Sequence, residues 1–238
     1  MYNLTFEFSI EKLVHGIAFF SNSGIQDLTK LKVAKLFYFA DKAHLLAHGT
    51  PIIGDVYWCM DWGPVPSFAL NEMNEALGRP EITFTEDSDA TLFASVLNVK
   101  RSLWTNAHPR FEAKNSNDPN VFSKSEIEVL GKTASIYGFK SAGQLVDLTH
   151  QEPPWTIANK NRNPGTRALI TYDLFFYGAP EASQRLLAKL VADQYGVAIS
   201  LRGDADYTAF ARELSTHDFA PDEVSDLDIR SRSRYSRS

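Results

Sequence analysis

Asp41, His44 and His48 form a D-x-x-H-x-x-x-H run inside "TKLKVAKLFYFADKAHLLAHG". On a helix, residues three and four apart share a face, so the carboxylate and both imidazoles could address one divalent ion. A zinc hydrolase would also need a base, and the glutamate of H-E-x-x-H is missing. The competing reading is structural. Histidines near a helix C-terminus suit its dipole, and Asp41 can hydrogen-bond the connection that follows. A second titratable pair, His150 and Glu152 in "LTHQEPPW", has the residue types for general-base work. No G-x-S-x-G, P-loop or dinucleotide fingerprint accompanies either set. The residues therefore assign Asp41, His44 and His150 to structure, with no catalytic residue, no metal and no cofactor.

Binding chemistry has a better candidate in "GDVYWCMDWGPVPS", residues 54 to 67. Partial alternation puts Val56, Trp58, Met60 and Trp62 on one strand face, and Tyr57, Cys59 and Asp61 on the other. The tryptophan face is expected to point into the core, because each ring has a large area to bury. Gly63, Pro64 and Pro66 then stiffen the turn, so side chains presented there lose little entropy on meeting a partner. Tyr57, Asp61, Trp62 and Pro64 are the expected partner contacts.

These residues need elements to position them. Ser9 caps a first helix with Leu13, Val14, Ile17 and Phe20 on one face. Thr29 caps the longest helix, which ends at Gly49 with Pro51 just beyond. Its wide apolar stripe includes Leu31, Ala34, Leu36, Phe37, Ala40, Leu45 and Leu46, as a buried central helix requires. Ser67 is expected to cap a helix running to Leu77. The stretches "TLFASVLNV" and "SLWTNAHPRFEAK" are expected to add strands. Ser123 and Glu126 have capping-box spacing for a helix ending at Gly138, and Ser141 caps the next. "ALITYDLFFYG" reads as a strand or buried segment, followed by helices over 181–195 and 204–214. The fold class is α+β and predominantly helical, a helical bundle with a small antiparallel sheet. Residues 1–160 form the main domain, 161–220 a helical extension packed on it, and 221–238 a disordered charged tail.

Composition narrows the function classes. With 238 residues, 44% of them hydrophobic and 22% charged, the chain can build a full core. A formal net charge of −5 offers no bulk attraction to nucleic acid or to an anionic membrane. The four arginines among the last nine residues follow a local acidic stretch that can neutralise them. Cys59 is the sole cysteine, so neither an intrachain disulfide nor a cysteine-rich zinc site can form. That, with no apolar run long enough to span a bilayer and no signal-like N-terminus, leads to the expectation of a cytoplasmic protein.

The ordered set Lys35, Leu36, Tyr38, Ala40, Asp41, His44 and Leu45, then Gly49, Pro51, Ile52, Gly54 and Asp55, then Gly63, Pro64 and Val65, resembles the Panacea domain of SocA-like antitoxins and phage-associated proteins. "FSKSEIEVLGKTASIYGFKSAGQLVDLTHQEPPW" is similar to that family's C-terminal helices and its T-H-x-E-x-P-W ending, here Thr149, His150, Glu152, Pro154 and Trp155. The resemblance covers roughly residues 7 to 160; the span "RPEITFTEDSDATLFASV" is one departure from the pattern, and residues 165 to 238 find no counterpart in it. It makes Asp41, His44, Gly54, Asp55, Gly63, His150 and Trp155 motif residues of structural purpose. It implies a mostly helical antitoxin that binds a co-encoded toxin and neutralises it without chemistry, in the setting of phage defence. The alternatives are a proteolytic adaptor that hands the toxin to a cellular protease, and an enzyme using Asp41, His44 or His48. A homo-oligomer is compatible with all three.

Overall fold

Thr29 opens the helix around which the rest of the molecule is arranged. Its Oγ1 accepts the Lys32 amide at 3.3 Å, and α2 (Lys30–His48) runs to Gly49, whose left-handed φ of 81° and N–H to Leu45 O close it. Residues 32 to 41 of α2 are buried on every side. Helices α3, α5, α6 and α8 and the strand β2 all pack on it. A helix buried all round needs few polar residues, and those present must find partners in the protein. Lys32, Lys35 and Asp41 are such residues.

The structure, a computed structural model, describes residues 4–78, 88–101, 108–114, 118–160 and 162–195. They fall within one compact unit, Asn3–Ile199. The helix expected over 204–214 and the tail from 221 lie outside the described residues. Helix α1 (Ile10–Asn22) begins at Ser9, whose side chain accepts the Lys12 amide. After α2 come β1 (Tyr57–Met60), β2 (Gly63–Pro66) and α3 (Ser67–Gly78), then α4 (Ser88–Val96), β3 (Leu97–Lys100) and β4 (Arg110–Ala113). The order continues through α5 (Lys124–Tyr137), α6 (Ala142–Thr149), α7 (Pro153–Asn159), β5 (Ala168–Ile170), a buried 3-10 turn at Tyr172–Phe176, and α8 (Glu181–Tyr195). Among the described residues the fold is α+β and predominantly helical, with two small antiparallel sheets.

The first sheet has the order β2-β1-β5. Tyr57 lies opposite Pro66 on one side and Ile170 on the other, and Trp58 lies opposite Val65 and Leu169. Residues 168–195 thus supply a strand of the sheet as well as the 3-10 turn beneath it. Tyr38, Tyr57, Tyr172 and Phe175 pack there, with ring centroids 5.4 to 6.3 Å apart. Helix α8 ties back to both ends of the scaffold. Ser183 Oγ donates to Leu46 O at 2.8 Å, and Gln194 exchanges hydrogen bonds with the Thr5 backbone at 3.0 Å. The second sheet pairs β3 with β4, burying Leu97 and Phe111 on the side of α1.

Two local expectations change. "TLFASV" belongs to helix α4 and only "LNVK" is strand. Its β-forming residues are outweighed by packing on α1 and α3, which propensity alone does not register. Ser67 is the first residue of α3 and not its cap. The cap is Asp55, twelve residues earlier, whose carboxylate accepts the Phe68 and Ala69 amides at 2.9 and 2.7 Å.

Candidate partner-binding site

The β1–β2 hairpin is held at its base by two buried carboxylates. Asp41 Oδ1 accepts the Ile52 and Ile53 amides at 2.8 and 2.9 Å, and Oδ2 accepts the Tyr57 hydroxyl at 3.0 Å. Burial pushes its pKa up to about 7, against the pull of those same hydrogen bonds. Asp55 is raised to about 6, again chiefly by burial. Between them, Gly54 sits at φ 68°, with the Glu7 carbonyl 2.3 Å from where a Cβ would stand. Only glycine fits that crossing.

His44 is engaged through both ring nitrogens. Nδ1 is 2.6 Å from Thr50 O, so it carries the proton and donates, and Nε2 accepts from Ser125 Oγ at 3.1 Å. The ring lies 4.6 Å from that of His48. Asp41 turns its oxygens toward residues 52 to 57 and away from both histidines, so D-x-x-H-x-x-x-H does not converge on one point. Among the described residues no group of three or more His, Cys, Asp or Glu side chains comes together.

Toward the turn the provision is thinner. Lys35 is fully buried, and its Nζ donates to Pro64 O at 2.8 Å. Pro64 and Pro66 have no amide to offer, and the Pro64 carbonyl is occupied by Lys35, so the outer edge of β2 is closed to further strands. Burial lowers the Lys35 pKa to about 7. Gly63, at φ 87°, leaves no room for a side chain: a Cβ would lie 2.6 Å from Thr149 Oγ1 and 2.7 Å from Lys35 Nζ. Trp155 Nε1 donates to Met60 O at 3.0 Å, and the His150 ring stacks on the indole at 4.0 Å. Nε2 of His150 is buried without a partner among the described residues, and burial lowers its pKa. Glu152 pairs with Lys42 on α2, so His150 and Glu152 serve different contacts. The Cys59 thiol lies 3.7 Å from Trp155 O and is pushed up to about 11, mainly by burial, which keeps it protonated.

The strand faces run opposite to the sequence expectation. Tyr57 is 1% exposed and Cys59 fully buried, whereas Val56 and Met60 are exposed and Trp62 is 67% exposed. Tyrosine is inside because Asp41 supplies its hydroxyl with an acceptor. Trp58 is half-buried on the outer face, with the Arg167 guanidinium 4.2 Å above its ring. Tyr57 is therefore not presented for contact, and Pro64 is buried with its carbonyl tied to Lys35. Asp61 does reach the surface, paired at 2.6 Å with Arg162. That arginine is itself anchored by Asn159 Oδ1 at 2.9 Å and Thr166 O at 2.6 Å. Of the four residues expected to meet a partner, Trp62 and Asp61 stand at the surface. Sequence reading missed the exposure of Met60 and Val56 on the same face, and the Arg167 cover on Trp58. It also missed the burial of Lys35, for which a lysine set in "VAKLFYFA" was the available signal.

The outer surface of the sheet is thus apolar, stiff and backed by a satisfied polar base, which suits protein contact. A family model described as "Antitoxin SocA-like, Panacea domain" matches residues 33–156. That span begins inside α2, ends inside α7 and takes in Lys35, Asp41, Asp55, Gly63 and Trp155. No curated protein and no solved structure matches the chain.

Proposed function

The chain belongs to the SocA-like antitoxin family with the Panacea domain, and on that premise we propose that it binds a toxin protein encoded beside it and neutralises it by contact. The family match over residues 33–156 carries this reading. The hairpin supports it, because Trp62 stands exposed next to Met60 and the Asp61–Arg162 pair on a turn stiffened by two prolines. An aromatic anchor on a preorganised support is how a few residues come to dominate an interface. On this reading the toxin persists in the complex.

Co-expression with the adjacent open reading frame, scored by growth, tests this directly. The full chain should restore growth and co-purify with the toxin at fixed stoichiometry, while the toxin's half-life is unchanged. A toxin that disappears when this chain is present would point to an adaptor for a protease. An adjacent product that neither binds nor harms cells would sink the antitoxin reading.

A further inference from the structure

The three-stranded sheet has one closed edge and one open edge. The hairpin turns through two residues, so Met60 and Gly63 beside the turn form a hydrogen-bonded pair, and Trp58 with Val65 forms the next. The Ser67 amide donates to Val56 O at 2.9 Å and continues that pattern. The even-numbered residues of β1 therefore direct their backbone groups at β2. Tyr57 and Cys59 direct theirs the other way, at Ile170 and Ala168. The Tyr172 hydroxyl, which reaches Asp55 O at 2.7 Å, lies on that side too. Leu169, between Ala168 and Ile170, must then turn its N–H and C=O away from β1. Neither group is hydrogen-bonded among the described residues.

The two edges differ in what they offer. On β2 the outward-facing residues are Pro64 and Pro66, which carry no amide, and Lys35 occupies the Pro64 carbonyl. On β5 there is no proline, and its register with β1 runs without a bulge. An unpaired strand edge is a template for another strand. Leu169 also lies opposite Trp58, so its half-buried side chain carries the apolar outer face on to the open edge.

We propose that an extended segment of the toxin adds to the sheet at β5, with main-chain hydrogen bonds to Leu169 N–H and C=O and an apolar side chain beside Leu169 on the outer face. This rests on the antitoxin reading and names a second element of the same contact. A second copy of this chain is the weaker occupant. Pairing of β5 with its own copy would lay two sheets edge to edge through three residues a side, with each Trp62 beyond β1 and outside the contact. Such a seam falls well short of the roughly 1,000 Å² that a stable interface buries. A toxin seated on the outer face gains the edge as an extension of a larger contact. A helix would bring nothing to Leu169, because it pairs its own backbone.

The test uses the full chain and the purified product of the adjacent gene, with amide hydrogen exchange followed by NMR and affinity by calorimetry. The Leu169 amide should exchange freely in the free chain and slow by roughly a hundredfold in the complex. Leu169→Pro removes that one donor and leaves the bonds to β1 in place, since Ala168 before it is already extended, as a residue preceding proline must be. It should weaken binding by roughly tenfold, whereas Leu169→Ala, which keeps the amide, should weaken it by less than about threefold. If Leu169→Pro melts early, the exchange measurement decides alone. Equal losses in the two variants would assign the contact to the side chain and overturn the added strand. A complex that forms with the Leu169 amide still unprotected overturns it too, while the antitoxin reading stands. Protection already present in the free chain would mean that the chain or a second copy covers the edge, and it would overturn the proposal. Absence of binding by the wild-type chain overturns both readings.

Discussion

Asp41 and Asp55 at the base of the hairpin are as deeply buried as Lys35 beside its turn, yet they are provided for very differently. Asp41 accepts from two backbone amides and a tyrosine hydroxyl, and Asp55 from the first amides of α3. These donors would be orphans without the carboxylates, so each charge removes several desolvation costs at once. Lys35 has one hydrogen bond among the described residues, to Pro64 O. The base is therefore a scaffold that stabilises itself. The turn is held by a lysine with a single hydrogen bond, although burial disfavours the charged form of Asp41 and of Lys35 alike, bringing both pKa values to about 7.

The largest effect should come from breaking the base. Asp41→Ala leaves three buried donors without acceptors, at about 1–2 kcal/mol each, for a loss of roughly 3–6 kcal/mol in urea unfolding. Asp41→Asn keeps an acceptor and sharpens the test through pH. The folded chain holds the Asp41 proton up to about pH 7, whereas the unfolded chain releases it near 3.8. Folding then binds the extra proton, so wild-type stability falls as pH rises through that window. Asp41→Asn should flatten the part of the slope due to this residue.

At the turn, Gly63→Ala forces an L side chain into φ 87° and against Thr149 Oγ1 and Lys35 Nζ. A loss of about 2 kcal/mol is expected in the same unfolding assay. A wild-type midpoint would mean that the turn yields.

Lys35→Met separates the two regions by the sign of their pH response. Here the folded chain releases its proton at about 7 and the unfolded chain near 10.5. The unfolded state binds more protons between these values, so stability rises with pH, by up to about 1.4 kcal/mol per unit. Between pH 7 and pH 9 the wild-type chain should gain roughly 1–2 kcal/mol that Lys35→Met does not. Equal slopes in both proteins would show that Lys35 is solvated in solution.

Much of the base was legible because its rules are local. The helix stop at Gly49 and the capping box at Ser123 and Glu126 act within a few residues, and Asp41, two helical turns before Gly49, reaches only the connection that follows its own helix. The faces of β1 were not legible, since alternation is symmetric and does not say which face is inside. What decides is Asp41 waiting for the Tyr57 hydroxyl, and Arg167, just before β5 and more than a hundred residues later, covering Trp58. The cap on α3 was misplaced for the same reason: Ser67 has the right chemistry next door, and Asp55 has it from across the hairpin.

The smallest effect on stability, and the most telling for function, is expected at Trp62. The indole is 67% exposed at the turn of a hairpin whose backbone is fixed by Gly63, Pro64 and the Lys35 bond below. Removing it exposes no core and orphans no buried group, so Trp62→Ala should move the unfolding free energy by less than about 0.5 kcal/mol. If the hairpin anchors the toxin, the same change should weaken the complex by tenfold or more, since a well-packed interface tryptophan is commonly worth over 2 kcal/mol. Stability and binding then part company at this residue, while at Asp41 they fall together. A Trp62→Ala chain that melts as wild type and still protects cells fully would move the interface off the hairpin, leaving the base as pure scaffold.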